Sequence, residues 1–520
     1  MKRSLMRFAS APWLHSLLFA AFPVVFLWVH NLDEGVTTWQ GLNVLAAVLF
    51  FAATVYTILR FLILRDGARA AVAATMIVLL VTTMGRVGSI LGLSGGSVLE
   101  LLLLLAWGLL IVACVMVVAR FSTVPDAVTR TLNLVAASLV LLNVVPLLLA
   151  RPQSAQASSY TYPAFTEALD PSATGPKRDV YYLIFDRYAG AATLQSLYSF
   201  DNTPFLDWLE ARGFVVTGEA LANYPQTVHS LASSLNMNYL DQIAEAQGTN
   251  SSTWSPLRNL LGSSAVSRTF QGMGYKYEHI GSWWSGTFYD PSADDNYTYG
   301  GYTEFSGVFM NTTALPAMFR QFGLGPSVDV DKQQWERVHY QMEALGMIAS
   351  DPAPTFTFAH FTLPHPPYVF HADGSFVSSD PNRPVSEAYL DQLRYTNSVI
   401  QRLVRTLQGS SSVAPIIVIQ SDEGPQPPWV DQRNEILRWP WSEASDVELG
   451  RKLHILNAYY LPGEPAFEPY PSITPVNTFR LILAAYFDAD VQFLRDRTYV
   501  FTDFNHPYRF EDVSDRLQAE

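Results

Sequence analysis

Asp179-Val-Tyr-Tyr-Leu-Ile-Phe-Asp186 decides the fold class of the second half of this chain. Six apolar or aromatic residues run without interruption and end in an acid, the pattern of a buried strand. The form recurs in Phe356-Thr-Phe-Ala-His-Phe361, which leads into Thr-Leu-Pro-His365, and in Pro415-Ile-Ile-Val-Ile-Gln420, which leads into Ser-Asp422-Glu423-Gly424. Residues 214–217, 275–280 and 454–461 read as further strands. Helical patterns fall at 203–213, 257–273, 331–349, 384–407 and 475–487, and the aromatic, Gly-rich stretch 281–311 reads as a loop over a site. Strands alternating with helices predict an α/β sandwich, a mixed, mostly parallel sheet with helices on both faces. In such sheets functional groups gather beyond the carboxyl ends of strands, where Asp186, His365, Asp422 and Glu423 stand.

A second stretch supplies a hydroxyl. In Asn223-Tyr-Pro-Gln-Thr-Val-His-Ser-Leu-Ala-Ser-Ser-Leu-Asn236 a polar turn precedes a small-residue helical run. Pro225 suits the turn before a helix and not its interior, so Thr227 is expected at a helix N-terminus. There it is either a plain cap or a side chain placed where unpaired N–H groups favour an alkoxide or phosphate. Taken singly, Asp186, Asp422 and Glu423 each read as a helix cap or a salt-bridge partner ahead of a metal ligand. Gathered in one place they are costly unless paired. A divalent cation removes that cost, and oxygen donors suit Mn²⁺, Mg²⁺ or Ca²⁺. A cation beside Thr227 eases its deprotonation, and the threonine can then attack a phosphoryl group. His365 is a candidate for binding substrate oxygens or moving a proton. His279, Trp283 and Trp284 either line a pocket or pack in the core. His229 supports the site or lies on the surface, and His360 reads as a strand histidine.

The first 150 residues are of another kind. Apolar stretches at about 12–30, 41–63, 70–92, 97–119 and 128–150 are each long enough for a bilayer core of roughly 30 Å. Lys2, Arg3 and Arg7 precede the first; four spans follow it, so it reads as a retained anchor and not a cleaved leader. Arg65, Arg69, Arg120 and Arg130 fall in alternate loops, and Asp33 and Glu34 in another. This predicts a cytoplasmic N-terminus and, after five crossings, a C-terminal domain outside the cytoplasmic membrane. Arg86 and Glu100 lie near membrane depth, where a long side chain reaches the interface or meets a lipid head group. The expected domains are 1–150, five transmembrane helices; 151–178, a Ser/Ala/Pro-rich linker; and 179–520, an extracytoplasmic catalytic domain.

Bulk composition narrows the classes. Mean hydropathy is +0.13 with 15% charged residues, as for a chain with a membrane portion. The net charge of −13 argues against nucleic acid as a partner. Cys114 is the single cysteine and lies in an apolar run, so no intrachain disulfide or thiolate metal site can form.

The soluble half resembles the alkaline phosphatase/sulfatase superfamily, and within it the membrane-anchored lipoteichoic acid synthase and phosphoethanolamine transferase branch. The resemblance rests on Val180-Tyr-Tyr-Leu-Ile-Phe-Asp-Arg-Tyr188, Asn202-Thr-Pro-Phe-Leu206, Tyr224-Pro-Gln-Thr-Val-His-Ser-Leu-Ala-Ser233, Leu363-Pro-His-Pro-Pro-Tyr368 and Ile419-Gln-Ser-Asp-Glu-Gly424, and spans roughly residues 178–490. It implies an alkaline phosphatase-like sandwich with Asp186, Thr227, Asp422 and Glu423 at metal-ligand positions, Thr227 as nucleophile and His365 as a substrate-binding histidine. It also implies a phosphorylated head group, of phosphoglycerol or phosphoethanolamine type, passed from a membrane lipid donor to a cell-envelope glycan or lipid acceptor. A hydrolase of the same fold and a non-catalytic lipid-binding sensor are the alternatives.

Two departures modify the expectation. Glu423 stands where the family pattern is Asp-His-Gly, which hardens the site towards Mn²⁺ or Mg²⁺, with Ca²⁺ or Zn²⁺ as the other options. Arg187 follows Asp186, and Phe361 stands four residues before His365 where a second metal would want an Asp, so one cation is expected. Thr227-Val-His-Ser-Leu lacks the Cys/Ser-x-Pro-x-Arg context of formylglycine maturation, which argues against sulfate-ester hydrolysis.

Overall fold

A computed structural model describes residues 11–31, 36–93, 95–157, 160–165, 177–300, 303–323, 329–378, 383–410, 413–426, 441–463 and 465–517. The chain forms two compact units: residues 1–155 with 301–330, and residues 156–300 with 331–520.

The helical unit begins with α1 (Leu14–His30), α2 (Thr38–Ile58, closing in a π-helical turn to Ile63), α3 (Gly67–Ile90), α4 (Val98–Arg120) and α5 (Asp126–Ala157). Four of these are long and apolar enough to cross a membrane; α1, at 17 residues, sits at the short end of the spanning range. The caps follow the sequence. Thr37 and Gln40 form a reciprocal capping box on α2, and Asp66 and Ser97 accept from the N–H groups of Arg69 and Glu100. The charges on which the orientation rests are only partly visible, since Lys2, Arg3, Arg7, Asp33 and Glu34 lie outside the described residues. Two boundaries differ from expectation. Helix α5 runs through Arg151 to Ala157, into the stretch expected as linker. Residues 301–330, expected within the C-terminal domain, group with the helices instead. The helices Glu304–Thr312 and Leu315–Phe322 lie in that segment. Phe305 and Phe309, one turn apart, are buried with Val24, Trp28 and Val78, and the Ala314 N–H donates to the Val81 carbonyl at 2.8 Å. Arg320 completes the attachment with an ion pair to Glu100 at 2.5 Å.

The second unit is built on a seven-stranded sheet. Its strands are β1 (Val180–Phe185), β2 (Phe214–Val216), β3 (Lys276–Ile280), β4 (Asp295–Tyr297), β5 (Thr355–Phe361), β6 (Ile416–Gln420) and β7 (Asn457–Tyr460), in the order β2-β7-β6-β1-β5-β3-β4. Neighbours are parallel except at β7, which runs against β2 and β6. Strands β1, β5 and β6 are fully buried, and each face of the sheet carries its own core. Val180, Tyr182 and Ile184 pack on one side with the Thr227–Ser234 helix, and Tyr181, Leu183 and Phe185 on the other with Val385–Ser410. This is the alkaline phosphatase-like sandwich. Two local expectations fail. Residues 257–273 are two short helices, Ser255–Asn259 and Ala265–Gly272, because Ser263 turns to φ 62° and Ser264 caps the second. The stretch 281–311 holds the Ser285–Phe288 turn of helix, β4 and most of Glu304–Thr312.

Candidate metal centre

Strand register places the candidate ligands. Ile184 of β1 stands level with His360 of β5 and Gln420 of β6. Side chains alternate along a strand, so Asp186 and Asp422, two residues beyond Ile184 and Gln420, project on the face His360 occupies. The Asp186 N–H extends the ladder to the Phe361 carbonyl at 3.0 Å. The Thr227–Ser234 helix packs on this same face through Val228, Leu231 and Ala232, and Thr227 is its first residue. One ligand atom from each of Asp186, His360 and Asp422 lies within 4.8 Å of the others, and all three residues are buried.

These side chains suit a cation. His360 Nε2 stands 3.6 Å from Asp186 Oδ2, outside hydrogen-bond reach. Asp186 Oδ1, both Asp422 oxygens and His360 Nε2 have no hydrogen-bond partner among the described residues. Buried polar atoms are seldom left this way; two carboxylates and an imidazole with donor atoms within 4.8 Å of one another match the donor set of a divalent ion. Burial, then the charges of Asp186 and Glu423, pushes the Asp422 carboxyl well above the usual carboxylate range; the nearby Thr227 hydroxyl pulls the other way. At Asp186 burial is outweighed by His365, His360 and Arg187, and its carboxyl is held below the usual range. His360 Nδ1 meets the Thr287 hydroxyl at 2.7 Å, which leaves Nε2 for the centre.

Glu423 commits one oxygen to two cations, while its Oε2 is buried without a hydrogen-bond partner among the described residues. Its Oε1 takes Arg187 Nε at 3.0 Å and Lys452 Nζ at 3.0 Å, and it falls outside the Asp186–His360–Asp422 cluster. Lys452 is fully buried and also donates to the Gly424 carbonyl at 2.9 Å. Arg187 adopts φ 63°, a left-handed conformation that costs about 1–2 kcal/mol for a residue with a Cβ, immediately after Asp186. Two cations thus face the carboxylate that replaces the imidazole of the family pattern.

The remaining candidates separate. His365 carries cis peptides on either side, at Leu363-Pro364 and Pro366-Pro367, and its Nδ1 bonds the Pro366 carbonyl. Burial, then Arg187, lowers its pKa to about 3, so it is neutral at pH 7. Trp283 lies beside it, with ring centres 5.8 Å apart and a buried indole N–H that has no partner among the described residues. Trp284 presents an edge to His360. His279 accepts no such place: its Nε2 bonds the Thr287 carbonyl at 2.9 Å and its ring stacks on Phe358, so it supports the segment that holds His360. His229 points away, with Nε2 bonded to the Pro507 carbonyl at 2.8 Å and its ring among Tyr224, Trp254 and Phe501. It is a core residue, fully buried. Sequence reasoning missed His360, Thr287 and Lys452. Counting residues in twos along β1 and β5 is the signal that could have found His360.

Comparison with known proteins identifies a family. The sulfatase family model matches residues 188–479. No curated protein matches the chain. Among solved structures, the C-terminal periplasmic domain of EcEptC from Escherichia coli aligns at 14% identity and TM-score 0.42, covering 68% of this chain and 96% of that one. The integral membrane protein lipooligosaccharide phosphoethanolamine transferase A from Neisseria meningitidis aligns at 12% identity and TM-score 0.41, covering 93% of this chain and 96% of that one. The phosphonate monoester hydrolase of Agrobacterium radiobacter aligns at 13% identity and TM-score 0.37, covering 62% of this chain and 80% of that one. With more than half its length matched by that family model, this chain belongs to the sulfatase family.

Proposed function

We propose that the protein is a membrane-anchored, metal-dependent phosphotransferase that takes a phosphorylated head group from a lipid, holds it on Thr227 and passes it to an acceptor outside the cytoplasmic membrane. The observation that carries this reading is the convergence of Asp186, His360 and Asp422 beside the first residue of the Thr227–Ser234 helix. Asp186, His360 and Asp422 would hold one divalent cation, Mn²⁺ or Mg²⁺, which when bound supplies positive charge that eases deprotonation of a hydroxyl and offsets charge on a phosphoryl oxygen. The chain's own residues do the rest. Thr227 Oγ1 attacks phosphorus; its bond to phosphorus forms as the bond to the lipid alcohol breaks, and that alcohol leaves with a proton. The helix N-terminus favours the negative charge that gathers there. In the second half the acceptor hydroxyl attacks, the Thr227 Oγ1–phosphorus bond breaks, and the threonine recovers its proton. His365, with Nδ1 committed to the Pro366 carbonyl, keeps Nε2 free to accept the acceptor's proton. Trp283 beside it offers an indole N–H to a substrate oxygen.

Turnover of a head-group-labelled phospholipid by the full-length protein in nanodiscs tests this. Thr227→Ala should abolish turnover and leave the melting temperature within a degree of the parent; turnover retained in that variant refutes the reading. A labelled glycan or lipid product identifies transfer, whereas free head group alone would assign water as the acceptor.

A further inference from the structure

The helical unit contains a groove of ≈ 250 Å³ lined by Phe22 and Phe26 of α1, Leu79, Thr83 and Arg86 of α3, and Phe309 of the Glu304–Thr312 helix. Its lining is apolar apart from Arg86 and three threonines, and Thr82 and Thr312 spend their hydroxyls on the carbonyls of Val78 at 2.9 Å and Phe309 at 2.7 Å. Thr83 spends its hydroxyl on the Leu79 carbonyl at 2.7 Å. Arg86 is exposed and has no ion pair or hydrogen bond among the described residues. A guanidinium presents five donors in a fork suited to phosphate. Position supports a ligand. Arg86 lies in the last turns of α3, four residues before its end at Ile90, so about 6 Å along the axis from the helix terminus. That is the level of a bilayer's polar boundary for a helix of this length. The apolar floor runs inward from there along Phe26, Phe22 and Leu79. The volume is below that of a typical small-molecule pocket and suits part of one hydrocarbon chain.

We infer that this groove is a phospholipid-binding site: the lipid phosphate bonds Arg86, and one acyl chain lies on Phe22, Phe26, Leu79 and Phe309. The Glu304–Thr312 helix is one wall, so the segment inserted between β4 and β5 completes the site. Charge complementarity selects this occupant over a neutral lipid. The inference is independent of chemistry at the metal centre, because no residue of that centre takes part.

Native mass spectrometry of the full-length protein released from nanodiscs of phosphatidylethanolamine and phosphatidylglycerol reads the site. One phospholipid should stay bound under activation that strips the annular lipids. Occupancy should fall at least tenfold in Arg86→Gln, persist in Arg86→Lys, and fall in Phe309→Trp, whose larger ring fills the groove. Arg120→Gln, at an exposed arginine ending α4, should retain the lipid, and so should Thr227→Ala. Unchanged melting temperatures in detergent separate loss of the site from loss of the fold. Equal retention in parent, Arg86→Gln and Phe309→Trp would overturn the inference, as would equal retention of diacylglycerol in place of phospholipid.

Discussion

Glu423→His restores the family's Asp-His-Gly sequence, and the structure says it should damage this protein. Glu423 Oε1 is shared by Arg187 and Lys452 at 3.0 Å each. Side-chain exposure is 1% for Glu423, 0% for Lys452 and 11% for Arg187. A neutral imidazole there leaves two buried cations facing each other without their shared carboxylate. Removing one partner of a buried ion pair costs about 3–5 kcal/mol. Burial already pulls the Lys452 pKa down against the pull of Glu423, so part of that cost is relieved by Lys452 losing its proton. For a unit of roughly 330 residues the unfolding entropy is about 0.7 kcal/mol/K, and a loss of about 4 kcal/mol then lowers the melting temperature by about 6 °C. Thermal unfolding of the detergent-purified protein, followed by near-ultraviolet dichroism, measures this. Glu423→Gln, nearly isosteric, should lose a similar amount, and adding Lys452→Met to it should recover about half. A Glu423→His protein that melts within 1 °C of the parent would refute the pairing argument and return Glu423 to the ligand set.

Three further outcomes are expected. His360→Ala should reduce tightly bound Mn²⁺ at least tenfold by elemental analysis of the dialysed protein, whereas His279→Gln should leave the metal content nearly unchanged. His229 should impose an acid-side loss of stability. Burial lowers its pKa from 6.5 to about 4, so the unfolded chain takes up the proton first. The contribution is complete above pH 6.5 and declines towards pH 4, by about 3 kcal/mol in all; His229→Gln should flatten denaturant midpoints over that window. Gly85→Ala should destabilise the helical unit by about 1–3 kcal/mol, because a Cβ there would stand 2.1 Å from the Asn311 carbonyl oxygen; thermal unfolding of the two proteins in the same detergent checks it.

The strands and the strand-end acids were legible because both signals are local: an unbroken apolar run and the first polar residue after it. Thr227 was legible through Pro225 and the small residues that follow. His360 was not, since a histidine within a buried strand reads as core, and only the register with Ile184 shows which way it faces. The role of Glu423 was hidden for a related reason. Its partners Arg187 and Lys452 come from distant parts of the chain, and a motif carries no record of what will neutralise it. The Glu304–Thr312 helix went unread because Gly300, Gly301 and Gly307 and the aromatic residues around them look like a loop. The spacing of Phe305 and Phe309 by four was the available clue.

The grouping of residues 301–330 with the helices has a practical corollary. The polypeptide passes from one unit to the other not once, near residue 156, but also near 300 and again near 330. A protease that nicks the stretch after α5 cuts the one covalent link to residues 1–155, yet the sheet-bearing portion stays joined by backbone to 301–330, whose Phe305, Phe309 and Arg320 still hold the helices by packing and an ion pair. Expression of 179–520 by itself would carry Phe305 and Phe309 into water without the helices that cover them. A soluble preparation calls for excising 303–329 and bridging the gap with a short polar linker.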